Sequence, residues 1–440
     1  MVTQMHLIIL AFIVSTFSGT SEAIASPQLI PYLRAKLKWH SQLASSIVTA
    51  LPWPISAPTQ KSDLGQNFID EHRFKIEAKI GKPTIQFPWQ VLPAINFGSK
   101  QLRITPSQRL GPALAHLTRP IKLINFIFSP YKDITVGLDR HTYTVSITIG
   151  GKPIPLVSGL PANVPAITLA FATGSCENER WGDMMPDAFI KANIPILSAH
   201  NLNYIVSTGG AAGNFACNTP EGMKDFIERY VTKNLIGIDF DIEANQTKIE
   251  IENLVKAVHA IQWYFPALRF SFTLATRGSS DGSAKISQFG DLNAAGYNVI
   301  MALANFPIVN YTINLMVMNY GEPTPHNCLV NSLGRCEMGL TAIQAAKNLT
   351  ERFGITNEHI EITPMIGLND VPNEYFALAD VPTVTEWARL NEIAGVHFWS
   401  LDRDTPCREG SASTVSPICS SASEGQPWSF TNSFASGLNF

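Results

Sequence analysis

Short apolar runs alternate with amphipathic stretches from about residue 121 onward. Runs of about four to eight apolar residues are typical of buried strands, whereas apolar residues three and four positions apart are typical of helices that cover a sheet. The alternation predicts repeated β-α units around a parallel sheet. The candidate strands are a first within Ile124–Thr135, then Ala166–Ala172, Asn203–Ser207, Leu235–Glu243, Phe270–Ala275, Leu315–Tyr320, Ile360–Ile366 and Gly395–Leu401. Eight such strands with intervening helices predict an α/β fold, a closed (β/α)8 TIM barrel.

The stretch Thr142–Val157 departs from this rhythm. Two apolar runs that are typical of strands flank the adjacent glycines Gly150 and Gly151. Paired glycines between such runs are typical of a tight β-hairpin turn. We therefore predict a hairpin inserted after the first barrel strand.

The N-terminus is typical of an export leader, because an apolar run from Leu7 to Phe17 precedes small residues suited to cleavage near Ser26. We predict a leader over residues 1–25, an N-terminal extension or small accessory domain over 26–120 and the barrel over 121–440. The mature protein is then secreted, to the outside or in transit through a periplasm. The lack of Lys or Arg before the run leaves an uncleaved anchor as the alternative, although the run is shorter than the roughly 20 residues of a spanning helix.

Residues 27–120 show no sustained period and contain scattered tryptophans, Trp39, Trp53 and Trp89. These rings could present a polysaccharide-binding surface, or they could be core residues of a packing segment. The sequence leaves both interpretations open.

The composition is that of an ordered globular protein, with 45% hydrophobic and 15% charged residues. A formal net charge of -3 lacks the positive excess that binds polyanions, so we expect no nucleic-acid partner. No Gly-rich phosphate loop follows a strand and no histidines have metal-ligand spacing, so we expect neither cofactor nor metal. We also expect no membrane association of the mature form, and a monomer.

Six cysteines, an even number in a chain predicted to be exported, favour disulfides over a metal site. Pairing neighbours along the chain gives three bridges, Cys176–Cys217, Cys328–Cys336 and Cys407–Cys419. Spacing alone does not prove this connectivity. The absence of any C-x-x-C motif argues against the zinc alternative.

The fourth candidate strand carries three acids, Asp239, Asp241 and Glu243, that alternate with apolar residues. Successive side chains of a strand point to opposite faces, so the acids share one face, which in a barrel is the interior. Glu243 then lies at the C-terminal mouth, where barrel enzymes place catalytic groups. Like charges this close raise at least one pKa, and a column of acids can keep Glu243 protonated as a general acid.

Two alternatives for the acids remain. Alternating acids can bind calcium, but calcium loops are polar and glycine-bearing, whereas apolar residues interleave here. An edge strand with its acids in solvent is also possible, although the flanking helical patterns imply a covered strand.

The run from Gly237 to Glu243 closely resembles the D-G-x-D-x-D-x-E signature of glycoside hydrolase family 18, the chitinases and endo-β-N-acetylglucosaminidases. The resemblance covers about residues 124–405, and the nearest subgroup looks like bacterial chitinases of the chitinase D type. Further matching segments are Leu169-Ala-Phe-Ala-Thr-Gly, Ser207-Thr-Gly-Gly, Met318-Asn-Tyr320, Thr363-Pro-Met-Ile-Gly and Phe398-Trp-Ser-Leu-Asp-Arg-Asp404.

This resemblance implies a retaining mechanism in which Glu243 protonates the glycosidic oxygen and the 2-acetamido group of the sugar acts as nucleophile. It implies that Asp241 accepts a hydrogen bond from the acetamide N–H, that Asp239 shares the remaining proton and that Tyr320 donates to the acetamide oxygen. The partner is then a polysaccharide or oligosaccharide that contains N-acetylglucosamine. Residues implied to bind it are Trp399 as an apolar floor, with Met318, Asn319, Met365, Asn369, Phe171, Gly209 and Gly210.

The chain departs from the family pattern at two positions. Ile236 replaces the leading acid of the signature and points away from the catalytic face, so altered packing is expected. Asn319 stands where the chitinase D type often has Asp, and a residue that cannot titrate is expected to change the rate or pH optimum if it touches the acetamide.

Three functions compete at this point. One is a chitinase, the second is an endo-β-N-acetylglucosaminidase that releases N-glycans, and the third is a chitin-binding lectin without turnover. Cleft shape separates the first two and is not visible in the sequence. The intact Glu243 argues against the lectin.

Overall fold

The computed structural model of the protein describes residues 126–243, 246–407, 414–421 and 425–440. The predicted leader and the predicted N-terminal segment up to residue 120 lie outside the described residues, together with the tryptophans of that segment. The described ranges all fall within the predicted barrel region.

The described strands and helices alternate as the apolar pattern predicts. The strands are β1 Ile127–Phe128, β2 Tyr131–Asp133, β3 Ser146–Ile149, β4 Lys152–Pro155, β5 Ala166–Ser175, β6 Asn178–Trp181, β7 Asn203–Gly209, β8 Phe215–Ala216, β9 Leu235–Ile242, β10 Arg269–Ala275, β11 Tyr311–Met316, β12 Ile360–Thr363, β13 Gly367–Leu368, β14 Tyr375–Phe376 and β15 Gly395–Val396. The α-helices are α1 Pro186–Ala199, α2 Pro220–Tyr230, α3 Lys248–Ile261, α4 Ser283–Ile286, α5 Ala294–Asn305, α6 Met338–Phe353, α7 Asp380–Leu390 and α8 Ser429–Leu438. None of these helices combines the length and the apolarity that crossing a membrane requires.

The parallel strands close into the predicted barrel. They are hydrogen-bonded in the order β1, β15, β12, β11, β10, β9, β7, β5 and β2. The first barrel strand comprises two short strands, of which β1 pairs with β15 and β2 pairs with β5, and the ladder to the last strand continues past Pro130 where Tyr131 N donates to Phe398 O. Since β1 and β2 are two halves of one strand position, the ring is complete with eight positions, and the α/β barrel prediction is confirmed.

The sixth barrel strand is shifted from its predicted position. It spans Tyr311–Met316, whereas the apolar pattern predicts Leu315–Tyr320. Its register pairs Phe270 with Tyr311 and Ala275 with Met316, so only Leu315 and Met316 of the predicted range belong to the strand. The backbone then turns, with a left-handed φ of 53° at Asn319, and Tyr320 lies four residues beyond the strand.

The predicted hairpin is present after the first barrel strand. Strands β3 and β4 pair antiparallel around Gly150 and Gly151. The φ values of these two residues, 57° and 72°, lie in the left-handed region, which glycine adopts readily because it has no Cβ. Its backbone is tied to the barrel where Thr148 N donates to Asp402 Oδ1 at 2.7 Å. The other oxygen of Asp402 accepts from the buried Lys132 Nζ at 2.6 Å. Asp402, in the segment after the last strand, therefore binds both the hairpin and the first barrel strand.

The three predicted disulfides are all formed. Cys176–Cys217 joins the segments that follow β5 and β8, Cys328–Cys336 closes a loop between β11 and α6, and Cys407–Cys419 closes a loop before α8. The described loops around the barrel are therefore cross-linked while the strands carry no bridges.

The base of the barrel interior holds a buried charge cluster. Arg269 forms an ion pair with Glu361, which also accepts hydrogen bonds of 2.8 Å from Ser271 and from Thr312. Burial alone would raise the pKa of Glu361, but Arg269 and His397 hold it well below its ordinary value. Glu361 is thus ionised and fully paired, which is the condition under which a buried charge is tolerated.

We expect Glu361→Gln to lower the free energy of unfolding by about 3 to 5 kcal/mol, because Arg269 would keep a buried charge without its carboxylate partner. Urea denaturation followed by circular dichroism measures this change. The matched control is Glu228→Gln, which removes an exposed carboxylate paired with Lys224 on α2 and is expected to leave the midpoint unchanged. Equal effects of the two substitutions would contradict the paired-charge argument.

Candidate active site

A cavity of about 270 Å³ lies at the C-terminal ends of the barrel strands, where parallel barrels carry their binding groups. It is lined by strand ends and the loops that follow them. Residues predicted for the site that line it are Phe171, Asp241, Glu243, Met318, Asn319, Met365 and Trp399. The structure therefore brings together side chains from the second, fourth, sixth, seventh and eighth barrel strands.

Asp239 lies below the cavity in a shell of hydroxyl groups. Its carboxylate accepts hydrogen bonds from Ser207 Oγ at 2.6 Å, Thr273 Oγ1 at 2.6 Å and Tyr131 Oη at 2.9 Å. Burial raises the pKa of Asp239, and the three hydroxyl donors oppose that shift because they favour the charged form. Asp239 is accordingly a buried acid whose carboxylate is satisfied by three hydroxyl donors.

Asp241 has the opposite surroundings. Its side chain is buried, and its Oδ1 atom has no hydrogen-bond partner among the described residues. Burial, followed by the charges of Glu243 and Asp239, raises the pKa of Asp241 well above its ordinary value. The neutral form of Asp241 is therefore favoured more than that of an exposed aspartate, as the crowding of like charges predicts.

Glu243 lies at the mouth and is half-buried. Partial burial and the charge of Asp370 raise its pKa, which keeps the carboxyl protonated to higher pH. Its backbone oxygen accepts from Asn293 Nδ2, while Asn293 Oδ1 caps α5 by accepting from Gly296 N at 2.8 Å. The helix cap thus fixes the end of β9 and the acid with it.

An aromatic floor lies beside the acids. The rings of Phe171 and Trp399 stack with centroids 5.6 Å apart and planes at 17°, and Tyr131 lies 6.0 Å from Trp399. Such rings offer an apolar face to a pyranose, whose axial C–H groups are its least polar surface. Met318 and Met365 extend this apolar lining.

Asn319 occupies the cavity wall and ties two loops together. Its Oδ1 accepts from Asp370 N at 2.9 Å and Val371 N at 3.2 Å, and its Nδ2 donates to Asp370 Oδ2 at 3.1 Å. The loop after β11 is therefore fixed to the loop after β12.

The structure does not bring Tyr320 or Asn369 into the cavity. Burial and the charges of Glu374 and Asp380 raise the pKa of Tyr320, which places its hydroxyl in a different environment from Glu243. The buried Tyr320 hydroxyl has no hydrogen-bond partner among the described residues, so its predicted donation to an acetamide stays a prediction. Asn369 is buried, and its side-chain amide donates to the backbone oxygens of Met365 and Gly367. These hydrogen bonds stabilise the turn that follows β12.

The two glycines of the third strand shape the site without lining it. A Cβ at Gly209 would lie 2.2 Å from Asp241 O, and one at Gly210 would lie 2.9 Å from the Phe171 ring. Both residues have φ above 80°. They allow the end of β7 to approach the acid strand and the aromatic floor, and their predicted contact with a substrate stays a prediction.

No family model matches the chain. Among curated proteins it is similar to the "Probable bifunctional chitinase/lysozyme" of Escherichia coli, with 26% identity over 295 residues that cover 61% of this chain and 31% of that protein. It is also similar to Endochitinase 11 of Metarhizium anisopliae, with 23% identity over 365 residues, 78% of this chain and 61% of that one. The chain thus spans less than two thirds of either curated relative.

The solved structures add the fold to this likeness. The catalytic domain of the hyperthermophilic chitinase from Pyrococcus furiosus matches at 26% identity and a TM-score of 0.55, covering 72% of this chain and 96% of that chain. Mutants of active domain 2 of the thermostable chitinase from the same organism, complexed with chito-oligosaccharides, match at 25% identity and a TM-score of 0.54, covering 73% and 98%. The chain is thus similar to chitinase catalytic domains, as the resemblance of its acid motif to glycoside hydrolase family 18 implies. The family resemblance of the acid motif is confirmed.

Sequence reasoning missed Tyr131, Thr273 and Asp370 in this site. Tyr131 and Thr273 lie on interior positions of the first and fifth strands. Thr273 is paired with Asp241 on the neighbouring strand, so the alternation of inward and outward side chains would have predicted that both face the interior. Asp370 follows the seventh strand in a loop, where no periodicity indicates the direction of a side chain.

Proposed function

We propose that the protein is a secreted glycoside hydrolase that cleaves β-1,4 bonds between N-acetylglucosamine units of chitin or chitooligosaccharides. The observation that supports this most is the placement of Glu243 at the cavity mouth, next to a buried Asp241 whose Oδ1 lacks a partner in the described residues. A buried acceptor without a partner, aimed at a cavity, suits a ligand that supplies an N–H.

The first step breaks the glycosidic bond. The Glu243 proton moves to the glycosidic oxygen, the acetamido oxygen of the same sugar attacks the anomeric carbon, and the carbon–oxygen bond breaks with its electron pair on the leaving sugar. The product bound at the site is an oxazolinium ion. As the ion forms, Asp241 passes its proton to Asp239 and accepts the N–H of the ion, so that the Asp241 carboxylate balances the positive charge of the ring.

The second step restores the enzyme. Water attacks the anomeric carbon from the side that the first sugar left, Glu243 takes one water proton, and the oxazolinium ring opens. Two displacements at one carbon retain the β configuration. The proton of Asp241 can be shared with Asp239. The three hydroxyl groups around Asp239 can turn to suit either its charged or its neutral form, so the backbone does not have to move.

The charge of the cavity favours chitin over sugars with carboxylates. Asp241, Glu243 and Asp370 line it, and its described lining contains no Lys, Arg or His. An N-acetylmuramic acid unit would bring a lactyl carboxylate toward these acids without a cation to pair it. Uncharged N-acetylglucosamine chains meet no such repulsion.

We expect the purified protein to hydrolyse a fluorogenic chitotrioside and colloidal chitin, and to release β-anomers first. Proton NMR of the anomeric signals in the first minutes, before mutarotation, measures the configuration. A high-mannose glycoprotein and peptidoglycan are run in parallel, with Glu243→Gln as the inactive reference. Early α-anomers would reject the mechanism, cleavage of the glycoprotein alone would favour an endo-β-N-acetylglucosaminidase, and tight chitotriose binding without turnover would favour a lectin.

The three disulfides support the export that this proposal includes, since such bridges persist in oxidising compartments. Expression with the native first 25 residues should place the protein in the periplasmic or medium fraction. Retention in the membrane fraction would favour the uncleaved anchor.

A further inference from the structure

The loops after β11 and β12 meet at the cavity through a matched pair of side chains. Asn319 and Asp370 both line the cavity together with Glu243. Asn319 Nδ2 donates to Asp370 Oδ2 at 3.1 Å, and Asn319 Oδ1 accepts from the backbone N–H groups of Asp370 and Val371. The two residues therefore hold each other on the rim of the site.

These contacts fix which way the Asn319 amide faces. Backbone N–H groups only donate, so the atom that faces Asp370 N and Val371 N must be the amide oxygen. The NH2 group then faces the Asp370 carboxylate, to which it gives one of its two hydrogens. The second hydrogen is left for a ligand in the cavity, and the acetamido oxygen of the substrate is an acceptor of the right kind.

The pair also depends on the amide at position 319. An Asp there would keep one oxygen on the two backbone N–H groups and set its other oxygen about 3.1 Å from Asp370 Oδ2. Two carboxylates at that distance share a proton or repel. The Asn that replaces the family's frequent Asp thus fits the presence of Asp370 in the neighbouring loop.

Glu243 is faced by acids on two sides. Asp241 lies on its own strand, and Asp370 approaches from the loop after β12. The cation that acts on Asp370 is Arg403, which is itself buried and donates to the backbone oxygens of Ser416, Ile366 and Leu368. Asp370 is exposed, so its charge acts on Glu243 through a partly aqueous path that salt can screen.

The geometry points to Asp370 as a positioning residue of the active site: it orients the Asn319 amide toward the substrate and holds a negative charge beside the acid Glu243. This assignment rests on the proposed function, because it acts on the same proton donor. Loss of the charge should let Glu243 ionise at lower pH, and loss of the hydrogen-bond acceptor should free the amide.

The test compares the pH dependence of kcat/KM on the fluorogenic chitotrioside for three variants and the unsubstituted protein. Asp370→Asn keeps an acceptor for Asn319 and removes the charge, so the alkaline limb should move down by roughly 0.5 to 1 pH unit. Asp370→Ala removes both and should show the same shift with a further loss of about 3- to 10-fold in kcat. Glu322→Gln, which removes an exposed charge near the same loop without lining the cavity, should change neither.

Salt provides a readout that a purely structural role would not move. Raising the ionic strength from about 20 mM to about 500 mM should move the alkaline limb of the kcat/KM profile of the unsubstituted protein to lower pH. The same change should move the alkaline limb of Asp370→Asn much less. Thermal melting of each variant identifies a folding defect, in which case the salt dependence of the unsubstituted protein decides.

The outcomes separate this inference from the proposed function. In one outcome the unsubstituted protein cleaves the substrate, Glu243→Gln does not, and Asp370→Asn has the same alkaline limb of the pH profile as the unsubstituted protein at both salt concentrations. That outcome overturns the role of Asp370 while the proposed function stands. If the unsubstituted protein cleaves none of the N-acetylglucosamine substrates, both are overturned.

Discussion

Glu243→Gln is expected to lower kcat on the chitotrioside by roughly 10³-fold, because the amide fills the same space and cannot give a proton to the leaving oxygen. The half-buried position and the raised pKa of Glu243 are what a proton donor needs near neutral pH. The backbone is held by Asn293, so the substitution leaves the end of β9 in place. Initial rates over a range of substrate concentrations give kcat and KM separately.

The same variant should bind chitotriose about as tightly as the unsubstituted protein, since the aromatic floor and Asp241 are unchanged. Isothermal titration calorimetry measures this affinity, and Asp225→Asn, a change of an acid on α2, serves as the matched control for loss of one carboxylate. Equal rates in Glu243→Gln and the unsubstituted protein would remove the basis of the assignment.

Asp241→Asn is expected to lower kcat by about 10²- to 10³-fold with a small change in KM. The amide resembles the protonated acid that burial and two neighbouring charges favour at rest, so folding and substrate binding should persist. It cannot become an anion when the oxazolinium ion forms, so the stabilisation that is specific to the transition state is lost.

Thermal melting should show Asp241→Asn within a few degrees of the unsubstituted protein, which separates lost chemistry from lost structure. A rise in KM with an unchanged kcat would mean that Asp241 only binds the ground state. A large drop in melting temperature would contradict the inference that the resting carboxyl is neutral.

The features of this protein that could be predicted from its sequence are those governed by short-range rules. The alternation of Asp239, Asp241 and Glu243 with apolar residues fixes a common face in any strand. The turn at Gly150 and Gly151 depends on the φ values that glycine permits. The cysteine bridges were predictable from an even count and proximity along the chain.

The features that could not be predicted depend on partners far along the chain. The apolar stretch around Leu315 fits a strand in several registers, and only pairing with β10 selects the one that ends at Met316. That shift places Tyr320 in the segment that follows the strand. The hydroxyl shell of Asp239 comes from the first, third and fifth barrel strands, and Asp370 comes from a loop, so no local pattern could join them.

The buried ion pair of Arg269 and Glu361 lies inside the N-terminal end of the barrel, beneath Asp239. The acid column therefore opens to solvent on the side of the cavity, where the proposed substrate would bind. In the proposed reaction, water that enters by this opening is then the source from which Glu243 regains its proton.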